Sequence, residues 1–245
     1  MNIYPIFLSF VTFLSTLSGG LLASRYREKF GFLVAFVSGV LISTSLIGIL
    51  PETINIAEKL NMPIDNIMYT TVLGFIFLLI MDRYYSVRRV CENNVWRYIH
   101  NPKGGLFGAI ELSFDSFMDG LTIGIGFQFD FKIGLIFALA IIADDFSDGI
   151  NTITVMLNSG NSLKSSLKML ILNAIAPMLG VISTMFIIIP EKYIVLIVPF
   201  FAGGILYMGA SDLLPEAYED NPLSVSFLYS MAGFIFVFIL KMSIG

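Results

Sequence analysis

The chain has 245 residues, of which 56% are hydrophobic and only 13% are charged, and its formal net charge is −4. A soluble domain carries about 25% charged residues, so this composition excludes a soluble core with a polar shell. The single cysteine, Cys91, excludes an internal disulfide framework and a thiolate metal cluster. We expect the lipid bilayer as a partner and no nucleic acid.

Eight apolar segments follow one another along the chain, separated by polar residues, prolines and glycines. Each is close to the about 20 residues that cross a bilayer as a helix. Helices are expected because lipid leaves the edge of an open sheet without partners. The sequence predicts one all-α, multi-pass transmembrane domain over residues 1–245, placed in the cell membrane. The segments lie near 3–23, 31–50, 66–82, 105–127, 132–157, 167–189, 193–214 and 224–243.

Basic residues predict the orientation of the segments. The first segment has no basic residue before it, and Arg25, Arg27 and Lys29 follow it, which favours a retained first helix with its N-terminus outside. With both termini external, most lysines and arginines fall in cytoplasmic loops, including Arg88, Arg89 and Arg97. The longest loop, about 83–104, is then cytoplasmic and contains the only histidine, His100.

The second and seventh segments share a pattern. Each has a leading glycine (Gly39 and Gly203), an aliphatic pair after it and a closing Leu-Pro-Glu, at a constant offset of 164 residues. The prolines, Pro51 and Pro215, are expected to end their helices. Because the predicted topology runs these two segments in opposite directions, the pattern indicates inverted repeats, with substrate bound near the midplane.

A second repeat joins the fourth and fifth segments. The residues Asp115-Ser-Phe-Met-Asp119-Gly120 align with Asp144-Asp-Phe-Ser-Asp148-Gly149 at an offset of 29 residues. Aspartates four residues apart lie on one face of a helix, and the glycines should let helices approach closely. The repeat therefore predicts two carboxylate faces that meet.

Carboxylates inside a membrane demand positive charge. Each ionised side chain at the bilayer centre costs at least about 2.5–3.5 kcal/mol, and neither segment holds a lysine or arginine between the first and last of its aspartates. Protons or a bound cation must supply the charge, and divalent cations accept such oxygens readily. The predicted metal ligands are Asp115, Asp119, Asp144, Asp145 and Asp148, and Glu111, Asn151 and Asp212 are candidate pathway residues.

At these motifs the chain resembles the ZIP (Zrt/Irt-like) family of divalent metal transporters. The family's fourth span carries a His-Asn-x-x-acid-Gly type of motif, in which Asp115 stands at the histidine position and Ser116 at the asparagine position. The resemblance implies eight spans arranged as three, two and three, and a mononuclear or binuclear metal site between the fourth and fifth spans. It adds Ser116 to the predicted ligands.

The departures from the family pattern bear on the ion. The sixth-span Glu-Pro of the family looks like Ala176-Pro177 here, so that ligand is missing, although Asn173 lies one turn away and is a further pathway candidate. No histidine remains in the site. Carboxylate oxygens suit manganese better than imidazole does, so we expect a shift toward harder ions within the Mn/Zn/Fe class, with Mn²⁺ ahead of Zn²⁺.

Other functions stay open at this point. The aspartates could couple protons or sodium to the transport of another solute, or the chain could bind metal in the membrane without transporting it. We expect no enzyme, since no nucleophile–base pair is available. We expect no cofactor, the metal being the substrate, and we leave a homodimer open.

Overall fold

The computed structural model describes residues 3–26, 31–86, 91–92, 95–96, 102–187, 189–220 and 223–244. These residues form ten α-helices, two π-helical turns and one antiparallel pair of short strands. The helices are α1 (Tyr4–Tyr26), α2 (Gly31–Ser43), α3 (Leu50–Lys59), α4 (Ile64–Ser86), α5 (Pro102–Phe129), α6 (Phe131–Asn158), α7 (Leu163–Thr184), α8 (Glu191–Tyr207), α9 (Leu214–Asp220) and α10 (Leu223–Ile244). The π turns are π1 (Thr44–Ile49) and π2 (Met208–Leu213), and the strands are β1 (Cys91–Glu92) and β2 (Val95–Trp96).

Within the described ranges, six helical segments are long and apolar enough to cross a membrane. They confirm the prediction of an all-α, multi-pass membrane protein. The predicted fourth and fifth spans correspond to α5 and α6, which have 28 residues each and carry the aspartates. Eight spans, their three-two-three arrangement and the external termini remain predictions. The six segments are Tyr4–Arg25, Gly31–Lys59, Ile64–Met81, Leu163–Thr184, Lys192–Tyr218 and Ser224–Ser243.

Part of the predicted topology lies outside the described residues. This holds for five of the basic residues that set the orientation and for the single histidine. The short strands belong to the predicted cytoplasmic loop and pair Cys91 with Trp96. The placement of this loop in the cytoplasm therefore stays a prediction. The residues concerned are Arg27, Lys29, Arg88, Arg89, Arg97 and His100.

The prolines of the first repeat do not end their helices, and that prediction is wrong. Pro51 and Pro215 lie in the first turns of α3 and α9, each directly after a π turn. Proline lacks an N–H, so the carbonyl oxygen four residues earlier loses its helical partner. For Pro51 this is the oxygen of Ile47, which accepts a hydrogen bond from Lys241 Nζ of α10. The π turns stand at equivalent positions of the second and seventh predicted segments, so these segments share a backbone conformation as well as a sequence pattern.

The helices pack in two groups. In one group, α1, α5, α6 and α7 contact one another. In the other, α10 packs on α2, α2 contacts α8 and α8 packs on α4, together with the π turns and the short helices α3 and α9. The groups meet where α6 contacts α2 and π1 and where α5 contacts α8. The two aspartate-bearing helices thus belong to one group and also form the contact with the other.

Glycines set the contact between α1 and α6. A Cβ atom at Gly19 would overlap the carbonyl oxygen of Phe146, and a Cβ atom at Gly149 would overlap that of Thr16. The two backbones therefore touch, as small residues allow in membrane helices. Because Gly149 follows Asp148 directly, this contact fixes how far the backbone at that aspartate lies from α1.

The contact between α5 and α7 repeats this arrangement. A Cβ atom at Gly180 would overlap the carbonyl oxygen of Phe117, and one at Gly120 would overlap that of Pro177. Phe117 and Gly120 are the counterparts, in the first aspartate motif, of the phenylalanine and glycine that contact α1. The motif glycines, with Gly124 against Thr184 of α7, thus bring each aspartate helix against a third helix rather than against its own repeat.

Glycines also bring helix backbones into contact in the second helix group. Two helix contacts depend on glycines, that of α2 with α10 and that of α8 with α4. In each contact, both helices contribute one glycine that lies against the backbone of the other helix. The pairs correspond under the same internal repeat, with α8 in the place of α2 and α4 in the place of α10. The contacts are Gly39 with Ser230, Gly233 with Phe36, Gly203 with Thr71 and Gly74 with Phe200.

Replacing Gly203 with alanine should destabilise the protein by about 1–3 kcal/mol, the usual cost of overpacking. The added Cβ would overlap the carbonyl oxygen of Thr71, whereas at Gly204 it would meet only the flexible Leu78 Cδ1, at 3.1 Å. Denaturation in detergent micelles measures the difference, with Gly204→Ala as the adjacent control. Equal stability of the two variants would contradict the close approach of α4 and α8.

Candidate metal site

Two antiparallel helices carry the aspartates of the second repeat. Only Asp130 separates α5 from α6, and its carboxylate accepts the backbone N–H groups of Lys132 and Ile133 at 2.7 and 3.3 Å. This cap begins α6 directly after the turn. The four-residue spacing then places Asp115 and Asp119 on one face of α5, where the closely packed α6 brings Asp148 toward them.

Three carboxylates come together. One oxygen from each of Asp115, Asp119 and Asp148 lies within 4.8 Å of the other two. Oxygens on opposite sides of a cation stand about 4–5 Å apart at metal–oxygen distances of about 2.0–2.6 Å. The three groups can therefore share one divalent ion. Asp115 is half-buried, whereas Asp119 and Asp148 are only 6% and 5% exposed.

The negative charge of this cluster has to be offset by protons or by a bound cation. The Oδ2 atom of Asp119 is buried without a hydrogen-bond partner, and α5 beyond Lys103 and α6 beyond Lys132 contain no lysine or arginine. Carboxylates buried together repel one another and lose their hydration. A divalent ion would offset both costs and would give the buried oxygen a ligand.

A neutral polar network borders the cluster. Ser116 Oγ lies 2.6 Å from Asn173 Oδ1 and 3.4 Å from Asp148 Oδ2. Asn173 Nδ2 donates to Thr152 Oγ1 at 2.8 Å, and Thr152 Oγ1 donates to the backbone oxygen of Asp148 at 2.8 Å. All three neutral side chains are fully buried. Thr152 is not among the residues predicted from the motifs, although it lies one turn after Asp148 on the same face.

The remaining two aspartates of α6 lie apart from the three-carboxylate cluster. Asp144 is buried and lies within charge-interaction range of Asp115. Asp145 is fully buried, and neither of its oxygens has a hydrogen-bond partner. It lies beside Thr12 of α1, whose hydroxyl donates to the backbone oxygen of Ser9 at 2.8 Å. The structure thus brings three of the five predicted aspartate ligands within reach of one ion and turns Asp145 toward α1.

The predicted pathway residues occupy different places. Asp212, in π2, is exposed and lies within charge-interaction range of Asp115, Asp144 and Asp148. Glu111 lies one turn before Asp115 on α5, half-buried and close enough to interact with it. Asn151 is half-buried on α6. Asp212 therefore extends the negative charge of the cluster to an exposed position, and Glu111 extends it by one turn along α5.

These features define a multi-pass membrane protein with a buried carboxylate cluster, and comparison with known proteins agrees with that class. No protein-family model matches the chain. The chain is 26% identical over 120 residues to the zinc transporter ZIP13 of Mus musculus, covering 48% of the chain and 33% of that protein. It is 28% identical over 102 residues to the metal cation symporter ZIP8 of Rattus norvegicus, covering 41% of the chain and 22% of that protein.

A nematode relative extends the comparison. The zinc transporter zipt-7.2 of Caenorhabditis elegans is 22% identical over 111 residues, covering 43% of the chain and 24% of that protein. The chain thus matches a third or less of the length of these relatives. The resemblance to the ZIP family is confirmed, and the names describe transport rather than catalysis, in agreement with the expectation that the chain is not an enzyme.

Acidification should weaken metal binding at this cluster. Protons compete with the ion for the carboxylate oxygens, and a protonated carboxyl group is a poorer ligand. We expect Mn²⁺ affinity to fall at least about tenfold from neutral pH to about pH 5. Equilibrium dialysis of purified protein at constant ionic strength measures this. An affinity that is unchanged or higher in acid would contradict carboxylate ligation.

Proposed function

We propose that the chain carries a divalent metal cation of the Mn/Zn/Fe class across a cell membrane. The observation that carries the proposal is the three-carboxylate cluster of Asp115, Asp119 and Asp148, on two helices whose only basic residues are Lys103 and Lys132 near their starts. The names of its relatives, which describe zinc and metal cation transport, support the same class of substrate. In this proposal the metal is cargo, and no resident cofactor is needed.

The ligand chemistry favours a hard ion. The cluster and its neighbour Ser116 offer carboxylate and hydroxyl oxygens, and α5 and α6 contain no histidine or cysteine. Oxygen ligands suit Mn²⁺, whereas imidazole and thiolate strengthen binding of Zn²⁺ and Cu²⁺. We therefore place Mn²⁺ ahead of Zn²⁺. Asp144 and Asp145 belong to the proposed site as charged neighbours that raise its attraction for a cation.

Exposure supports a route for the ion. Asp212 is exposed, Asp115 is half-buried, and Asp119 and Asp148 are buried, so carboxylates follow the path from surface to interior. A cation entering past Asp212 and Glu111 would keep negative oxygens near it at each step, which lowers the cost of losing its hydration. The proposed frame has eight spans in a three-two-three arrangement with external termini, in which α5 and α6 cross the membrane as the fourth and fifth spans.

Neutralising one cluster aspartate should abolish transport. Asp119→Asn and Asp148→Asn each remove a charged ligand but keep the side-chain size, so we expect uptake to fall at least about a hundredfold with folding intact. Uptake of Mn²⁺, Zn²⁺, Fe²⁺, Mg²⁺ and Ca²⁺ into proteoliposomes measures the effect. The matched control is Asp65→Asn, at an exposed position in the first turn of α4, which should keep wild-type uptake.

The assay also separates the competing functions. Full uptake by both cluster variants would refute the proposed site. A folded wild-type protein that binds Mn²⁺ but transports none would be a metal-binding membrane protein. A protein that neither binds nor transports a divalent ion would direct attention to a proton- or sodium-coupled carrier of another solute.

A further inference from the structure

The Thr152 hydroxyl sets the direction of the hydrogen bonds in the neutral network beside the metal cluster. A threonine hydroxyl has one hydrogen to donate. At Thr152 that hydrogen goes to the backbone oxygen of Asp148, at 2.8 Å. The Oγ1 atom can then only accept a hydrogen bond from its other neighbour, Asn173. Thr152 Oγ1 is therefore a hydrogen-bond acceptor for Asn173.

This fixes the orientation of the Asn173 amide. Its Nδ2 atom donates to Thr152 Oγ1 at 2.8 Å, and its Oδ1 atom faces Ser116 Oγ at 2.6 Å. The flipped amide would place its oxygen against Thr152 Oγ1, whose hydrogen already goes to the Asp148 backbone oxygen, so two buried acceptors would face each other there. Asn173 therefore presents a carbonyl oxygen to Ser116.

The orientation of Asn173 decides where the Ser116 hydrogen points. Ser116 has one hydrogen and two acceptors within reach, Asn173 Oδ1 at 2.6 Å and Asp148 Oδ2 at 3.4 Å. The shorter contact takes the hydrogen, so Ser116 turns a lone pair toward Asp148. Neighbouring oxygens in the shell of one cation stand about 3.0–3.4 Å apart at metal–oxygen distances of about 2.1–2.4 Å.

We propose that Asn173 is a positioning residue that holds the Ser116 hydroxyl oxygen ready to bind the cation held by Asp148. The role rests on the proposed function, since it requires a metal ion at the carboxylate cluster. Without Asn173, the Ser116 hydroxyl donates its hydrogen to Asp148 Oδ2, which occupies a carboxylate lone pair and turns the serine lone pairs away from the ion. Asn173 thereby contributes to affinity without touching the metal.

A purely structural role for Asn173 predicts a different result. A buried amide that only holds α7 against α5 and α6 would affect folding, and its loss would add to the loss of Ser116. A positioning role acts through the Ser116 oxygen, so removing that oxygen leaves Asn173 nothing to position. A double-mutant cycle separates the two, because residues that act together give non-additive effects.

The experiment measures Mn²⁺ dissociation constants by equilibrium dialysis of purified wild-type protein, Asn173→Leu, Ser116→Ala and the double variant. Outer residues that orient metal ligands typically contribute about 10–100-fold in affinity. We expect about tenfold weaker binding in each single variant and no further loss in the double variant. A double variant about a hundredfold weaker than wild type, or Asn173→Leu within twofold of wild type, would overturn the proposal.

A second substitution protects the test against misfolding of Asn173→Leu. Thr152→Val removes the hydroxyl that orients the amide but leaves Asn173 in place, and it should also weaken Mn²⁺ binding. Its matched control is Thr53→Val, a fully buried threonine of α3 whose hydroxyl likewise donates to the carbonyl oxygen four residues earlier, at 2.9 Å. Equal affinity in the two threonine variants would refute the positioning role. Absence of Mn²⁺ binding by the wild type would instead refute the proposed function and the positioning role with it.

Discussion

The burial of several carboxylates on two helices that carry no lysine or arginine near them in sequence is the constraint on which the rest of the site depends. A membrane-spanning chain tolerates such groups only if they pair with something positive, and α5 and α6 supply no lysine or arginine within the cluster. The three oxygens within 4.8 Å of one another are costly when empty and well suited to a divalent ion. In the proposed function, the affinity of the cluster for a cation and the cost of leaving the site empty thus have the same cause.

Close helix contacts make that concentration of charge possible. Gly149 and Gly120, directly after the second aspartate of each motif, let α6 lie against α1 and α5 against α7 without intervening side chains. Each aspartate helix is therefore held on another side by a third helix, and Asp115, Asp119 and Asp148 come together where α5 and α6 meet. The same internal repeat duplicates the glycine contacts and the aspartates, so packing and chemistry are tied together by one pattern in the sequence.

Much of this arrangement is predictable from the sequence, because its signals are local and periodic. The apolar segments, the two repeats and the common face of Asp115 and Asp119 follow from hydropathy and helical spacing. The π turns and the continuation of the helices past Pro51 and Pro215 do not, since a contact such as that of Lys241 with the Ile47 carbonyl joins residues far apart in the chain. The turn of Asp145 toward α1 and the partners of Asn173 likewise depend on how three helices pack, which spacing along one helix cannot show.

The most direct test of the account is a crystal structure of the protein soaked with Mn²⁺, with data recorded at the manganese absorption edge. The account predicts an anomalous difference peak about 2.1–2.3 Å from oxygens of Asp115, Asp119 and Asp148. Ser116 Oγ should belong to the same coordination shell. A peak elsewhere in the membrane region, coordinated by none of these aspartates, would contradict the central claim that this cluster is the cation site.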